Sequence, residues 1–264
     1  PKPELLCALT EFKVLCGFRN PEQIVANFRA VNLDKLFPSL STLAQKQDEA
    51  TLKNFTQEVL SVSGEKLNQT LRILEHLLNL NRNLPEDVVS AFNLIRKHFN
   101  EDAGLLAPLY LNTYTLHPGE ALFLEPGVMH SYMHGAGIEI MANSDNVLRA
   151  GLTPKYKDIP EVLNTLLYKP YVQKVILPKN IDDIYFVYSV PVKEFELQSL
   201  HIMPGLNLKL PLHNMPVIIL CYQGEVTIPE HQKILSPGKA TFITSDIPEL
   251  SLKGQGILWL ATVP

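Results

Sequence analysis

Between Leu5 and Phe18 apolar residues come in two dense runs, LLCAL and FKVLCGF, interrupted at Thr10-Glu11. That pattern predicts two strands joined by a turn. The period then lengthens. Asn20-Pro21-Glu22-Gln23 offers a capping side chain, a proline at the first helical position and a glutamine three residues after the cap, which together predict a helix start. Ile24, Phe28 and Val31 follow at helical spacing. From about Asp48 to Phe99 the helical period is sustained, with Leu67, Leu71, Leu74 and Leu78 on one face and Val88, Phe92, Ile95 and Phe99 on another. Pro85-Glu86-Asp87 supplies a further helix start with acids in its first turn. This block reads as a helical insertion of three or four helices whose leucine stripes form its core.

After Gly104 the pattern reverts to short strands separated by Gly or Pro, at Leu109–Leu116, Ala121–Leu124, His130–Met133 and Gly137–Met141. Residues 160–170 predict one short helix, ending at Lys169-Pro170. From about Ile184 onward everything reads as β, with strands expected at Tyr185–Val190, Phe195–Met203, Val217–Tyr222, Gly224–Ile228, Lys239–Thr244 and Gly256–Val263. A turn every eight to twelve residues or about that fits a sandwich or small barrel. The segments LHPGEALFL from Leu116 and LSPGKATFI from Leu235 echo each other, which reads as an internal duplication of one β module.

Composition narrows the class. The 264 residues are 46% hydrophobic and 19% charged, with a formal net charge of −4, so the pattern is that of a globular protein without a nucleic-acid or anionic-membrane surface as its partner. No apolar run approaches the roughly 20 residues of a membrane helix, and no signal peptide is recognisable. Cys7, Cys16 and Cys221 form no close pair, and two of them lie within apolar runs. A reduced, cytoplasmic setting is the expectation. The opening Pro1-Lys2-Pro3-Glu4 enters a strand directly and has no methionine, as in a fragment whose beginning lies elsewhere.

Candidate chemistry gathers between Leu116 and Tyr156. Pro126-Gly127-Val128-Met129-His130 places an imidazole just after a turn, where it can ligate a metal or simply satisfy the turn. His134 follows four residues on, and strand periodicity allows both to face the same way. His117, His201, His213 and His231 lack acidic or thiol neighbours at ligand spacing. Glu139 lies inside an apolar strand, so it must be paired, ligated or turned to solvent. Asp145, Arg149 and Lys155 follow. Arginine and lysine converging on a pocket suit a phosphate or carboxylate; the alternative is a solvated loop carrying a surface ion pair. Glu4 is open between a carboxylate ligand and an exposed strand end.

The run Glu139-Ile-Met-Ala-Asn-Ser-Asp-Asn-Val-Leu-Arg149-Ala-Gly-Leu-Thr-Pro-Lys155-Tyr156 closely resembles the signature of type I phosphomannose isomerases. Lys2-Pro3-Glu4 with Leu-Leu-Cys-Ala-Leu, and Pro-Gly-Val-Met-His130-Ser-Tyr132, resemble the same family, and the likeness fades after about residue 175. It implies a mainly β fold of two cupin-like, jelly-roll barrels, the first incomplete, with a small α-helical domain inserted. On that reading residues 1–19 are strands of the first barrel and 20–104 the helical insertion. Residues 105–175 complete the first barrel and carry the active-site motif, and 176–264 form the second barrel.

The resemblance also implies a zinc-dependent aldose–ketose isomerase acting on mannose 6-phosphate and fructose 6-phosphate, with one Zn2+ per full-length chain. The family holds zinc with a Gln, a His, a Glu and a second His. Glu4 matches that Glu and His130 the second His, whereas the Gln and first His have no counterpart in this sequence. Pro1 stands where the family usually has His. Lys2, Tyr132, Glu139, Asp145 and Arg149 are implied around the sugar, with Lys155 toward the phosphate, Asp145 assisting ring opening or proton transfer and Arg149 stabilising developing charge. The implied partners are a small sugar phosphate and the chain's own missing N-terminal segment, in a monomer, with no nucleic acid and no membrane. A non-catalytic bicupin that binds a sugar phosphate or scaffolds a partner is the alternative. A cupin-type dioxygenase would need a local His-x-His set with an acid, which the sequence lacks.

Overall fold

The computed structural model describes residues 1–80 and 84–264. In chain order, strands β1 (Glu4–Ala8) and β2 (Phe12–Phe18) lead into helices α1 (Pro21–Ala30), α2 (Ser39–Lys46), α3 (Glu49–Leu60), α4 (Gly64–Leu80), α5 (Glu86–Arg96) and the short α6 (Ala107–Tyr110). Strands β3 (Leu111–Leu116), β4 (Ala121–Leu124), β5 (His130–His134) and β6 (Gly137–Met141) follow, then helix α7 (Ile159–Thr165). The remainder is β: β7 (Lys179–Asn180), β8 (Tyr185–Tyr188), β9 (Glu196–Ile202), β10 (Asn207–Pro211), β11 (Val217–Ile228), β12 (Lys233–Leu235), β13 (Ala240–Ile243) and β14 (Glu249–Thr262).

The molecule is mainly β with a helical insertion, built from two cupin-like units. In the first, two three-stranded sheets have the orders β4-β1-β6 and β3-β2-β5; in the second, one eight-stranded sheet runs β12-β11-β14-β9-β8-β7, with β10 on β14 and β13 on β11. The sequence echo has a structural counterpart. Ala8 exchanges backbone bonds with the first Pro-Gly turn, its N–H donating to Glu120 O and its carbonyl accepting from Gly119 N. Cys221 does the same at the second turn, with Lys239 O and Gly238 N. Glu4 pairs with Leu124 as Val217 pairs with Ile243. Strands that are broken at Leu9–Glu11 in the first unit therefore run through as β11 in the second.

Burial follows the pleat. Leu6 and Ala8 of β1 face the interior of the first unit with Val14, Leu122 and Leu124. Leu5 and Cys7 face the second unit, meeting Tyr188, Leu197 and Trp259. A strand buried on both faces needs a continuous apolar run, which explains LLCA. The helical block packs its own core around Phe28, Phe37 and Phe55, extended by Leu15 and Phe18 of β2. Phe28 meets Phe37 and Phe55 edge-on, at centroid distances of 5.4 and 5.3 Å. At the start of α1 the Asn20 N–H donates to Gln23 Oε1 at 3.3 Å, as the cap pattern predicts.

Several elements differ from expectation. Leu109 and Tyr110 close α6 rather than open a strand, since Pro108 lies in that helix's first turn and Tyr110 is needed in the helical core. The strands expected at Val217–Tyr222 and Gly224–Ile228 are one, with a register shift between Cys221 and Gln223 absorbing the interruption. Likewise the strand expected at Gly256–Val263 is the second half of β14, which ends at Thr262. The helix expected over 160–170 stops at Thr165, because Leu167 N–H and Tyr171 N–H bond instead to Gly127 O and Phe18 O. Helix α2 and strands β7, β10 and β12 lie outside the elements expected from the sequence.

Candidate active site

Glu4, Leu6 and Ala8 share one face of β1, and the first of them lies where that face opens from the core. Glu4 Oε1 is 3.3 Å from Lys2 Nζ, and Glu4 Oε2 is 3.7 Å from His130 Nε2. Both Lys2 and Glu4 are largely withdrawn from solvent, with side chains 15% and 12% exposed. His130 opens β5, directly after a turn in which Val128 N–H donates to Glu125 O at 3.1 Å. Gly127 in that turn has φ +84°, and a Cβ there would come within 2.7 Å of Thr165 O. Only glycine fits both the backbone and the close approach of α7.

The imidazole is oriented from behind. His130 Nδ1 lies 2.9 Å from Val128 O; a carbonyl only accepts, so Nδ1 carries a hydrogen there and Nε2 is the nitrogen that faces Glu4. This is how a histidine is prepared as a metal ligand. Among the described residues no third His, Cys, Asp or Glu joins the pair.

Tyr132 sits beside His130, ring centroids 5.6 Å apart, and its hydroxyl donates to Glu139 Oε1 at 2.8 Å. Burial and the Glu139 carboxylate push the Tyr132 hydroxyl above its ordinary pKa, so it stays a proton donor. Glu139 is opposite Leu6 on the neighbouring strand, hence on the same face as Glu4.

Lys2, Glu4, Glu125, His130, Glu139 and Arg149 all line one cleft of about 680 Å³. Its other wall comes from the segment 146–153 and from Leu60, Gly104, Ala107 and Tyr110 of the helical block. Among the described residues Arg149 forms no ion pair; its guanidinium reaches only Val147 O, at 3.4 Å. Asp145 and Lys155 are on the same segment but are exposed and outside the cleft lining. His134 is exposed and takes no part. Two cleft features escaped the sequence reading. Glu125 had a faint signal, an acid placed between an apolar strand and a Pro-Gly turn. Asp102, buried beneath the 146–153 wall, had none.

Acidic, imidazole and cationic groups at the mouth of a cupin-like unit, with a helical block as the opposite wall, define the cleft of a bicupin-type protein. No family model matches the sequence. The chain is 34% identical to mannose-6-phosphate isomerase of Escherichia coli (strain K12) over 260 residues, 97% of this chain and 65% of that protein. It is 32% identical to the Schizosaccharomyces pombe enzyme of the same name over 270 residues, 94% and 66% of the two chains. A crystal structure of a variant phosphomannose isomerase from Salmonella typhimurium superposes with a TM-score of 0.86 at 30% identity, covering 99% of this chain and 68% of that one. A zinc-bound mannose 6-phosphate isomerase gives a TM-score of 0.85 at 30% identity, covering 99% and 66%. This chain belongs to the mannose-6-phosphate isomerase family, and it spans 65% of the length of the first of these relatives.

Proposed function

We propose that the protein of which this chain forms part interconverts mannose 6-phosphate and fructose 6-phosphate, in the cytoplasm and as a monomer, with Glu4 and His130 holding a zinc ion. The observation that carries the reading is the Glu4–His130 pair, in which the Nδ1–H bond to Val128 leaves Nε2 facing the carboxylate inside the cleft. One anionic oxygen donor and one neutral nitrogen donor suit zinc; they are two of the four ligands that the family resemblance implies. When bound, zinc would polarise sugar oxygens and offset the negative charge that develops on them as the protons move.

The reaction moves a proton between two carbons. A base removes the C2 proton of the open-chain aldose while O1 gains a proton, giving an enediol; O2 then loses its proton as C1 gains one, leaving the ketose. Arg149, which has no carboxylate partner among the described residues and reaches only Val147 O, is available to stabilise charge developing on those oxygens. Lys2 offers a second cation, fixed by Glu4. Tyr132 holds Glu139 in one orientation through its 2.8 Å bond, so that this carboxylate can accept from sugar hydroxyls. Asp145 and Lys155 lie outside the cleft lining, so their roles in ring opening or proton transfer and toward the phosphate rest on the family resemblance alone.

The test is steady-state kinetics on the zinc-loaded, full-length protein. Turnover of mannose 6-phosphate, lost with a chelator and restored by zinc, is expected, as is an Arg149→Ala variant whose kcat falls at least about 100-fold with little change in affinity. Sugar-phosphate binding that survives the chelator, without turnover, would replace this reading with that of a binding module.

A further inference from the structure

The segment that carries Arg149 has no regular secondary structure between β6 and α7, so something else must fix it. Among the described residues, every hydrogen bond that leaves residues 143–157 ends on the Asp102 carboxylate. Asp102 is 7% exposed. Its Oδ1 accepts from Gly104 N–H at 2.7 Å and from Leu152 N–H at 3.1 Å, and its Oδ2 accepts from Lys157 Nζ at 2.9 Å. A buried carboxylate with three donors, one of them cationic, is fully satisfied and holds its partners with charge-assisted bonds.

Packing closes the same point. A Cβ at Gly151 would come within 2.7 Å of Asp102 Oδ1, and one at Gly104 within 2.6 Å of Leu152 Cγ. Leu152 itself has φ +53°, a left-handed conformation that leucine avoids unless its surroundings impose it. The bond to Asp102 and the seat on Gly104 impose it here. Arg149 lies three residues upstream, and its guanidinium reaches only a carbonyl of its own segment. Leu148 and Ala150 pack against the helical core on either side of Arg149, and among the described residues the nearest hydrogen-bonded anchor outside the segment is the one at Leu152.

We propose that Asp102 is a positioning residue: by clamping Leu152 and Lys157 it holds the 146–153 wall, and with it Arg149, in the geometry that turnover requires. The role rests on the reading of Arg149 as the charge-stabilising group. It acts on kcat rather than on substrate affinity.

A double-mutant cycle in the zinc-loaded, full-length protein tests it, with Asp102→Ala, Arg149→Ala and the pair, alongside amide exchange over residues 147–155. Asp102→Ala is expected to lower kcat at least about tenfold with KM within about threefold, since misplacing a group that acts only in the transition state costs rate. In the Arg149→Ala background the same change is expected to cost less than about twofold, because the two act through one group. Asp102→Asn, which keeps the acceptor for both amides but loses the charge opposite Lys157, is expected to recover part of the rate. Amide exchange over 147–155 is expected to rise while exchange in α3 and β11 stays as in the parent. Multiplicative losses in the double variant, or an unchanged kcat despite faster exchange, would overturn the proposal. If Asp102→Ala fails to fold, Lys157→Met carries the same cycle with a smaller expected loss. A parent protein without isomerase activity would remove the proposed function instead, and unchanged exchange in Asp102→Ala would then separately overturn the clamp.

Discussion

A single carbonyl decides what His130 is. With Val128 O taking the Nδ1 hydrogen, the ring can ligate only through Nε2, on the side where Glu4 waits. Glu4→Gln and His130→Ala are each expected to weaken zinc binding in the full-length protein by on the order of 100-fold or more, read by metal analysis after dialysis against a weak chelator. Tyr132→Phe is expected to keep its zinc while losing turnover, because its hydroxyl touches Glu139 rather than Glu4 or His130. The cysteines give a second residue-scale expectation. Burial pushes the Cys7 thiol up to about 11 and the Cys16 thiol up to about 12. A group whose proton is held more tightly in the folded state stabilises the fold fully below its unfolded pKa and loses that contribution as pH rises. Thermal stability should therefore fall as pH rises from about 9 to 10, before tyrosines titrate, and the fall should be smaller in a Cys7→Ala/Cys16→Ala variant. At this scale the sequence disclosed the residue types well. It left Glu4 open between ligand and exposed end, because the group it faces, His130, lies on a strand of the other sheet and is reached only when the two sheets pack together.

Elements convert those residues into a site. The turn 125–128 is pinned from two sides, by its own Val128–Glu125 bond and by Leu167 N–H on Gly127 O. Gly127→Ala would meet both a positive φ and the Thr165 carbonyl, so a loss of roughly 1–3 kcal/mol is expected in chemical denaturation. Zinc affinity should fall with it as His130 shifts. Helix periodicity was plain for α4 and α5, whose Leu67, Leu71, Val88 and Phe92 are all buried. It failed at α6, where Leu109 and Tyr110 read as strand because a four-residue helix is too short to display a period. It also failed to join the two halves of β11, since Gly224 looks like punctuation and functions as part of a continuous twisted strand.

Between the two cupin-like units lies an apolar layer in which Trp259 stacks against Tyr188 at 5.7 Å and meets Leu5, Cys7 and Phe123. Trp259 Nε1 is buried without a partner, so the ring is retained for its area and shape. Trp259→Ala is expected to cost about 3–5 kcal/mol in denaturant titration, whereas Trp259→Phe, which removes the unpaired N–H and keeps an aromatic ring, should cost less than about 1.5 kcal/mol. Equal losses would show that a smaller aromatic ring does not fill the place of the indole. The cleft itself belongs to this scale, because one wall comes from a cupin-like unit and the other from the helical block and the segment it clamps.

Local chemistry was enough to determine the alternation of β and helical regions, the duplicated Pro-Gly turn and the polar run around Arg149, since each is written in neighbours a few residues apart. Tertiary structure alone decided that Glu4 meets His130, that Val217 takes the place of Glu4 in the second unit, and that Asp102 anchors a segment some fifty positions away. Such pairings are fixed by sheet register and by burial of charge. Neither leaves a periodic trace along the chain, because the free energy that selects them comes from desolvating groups that only the folded molecule brings together.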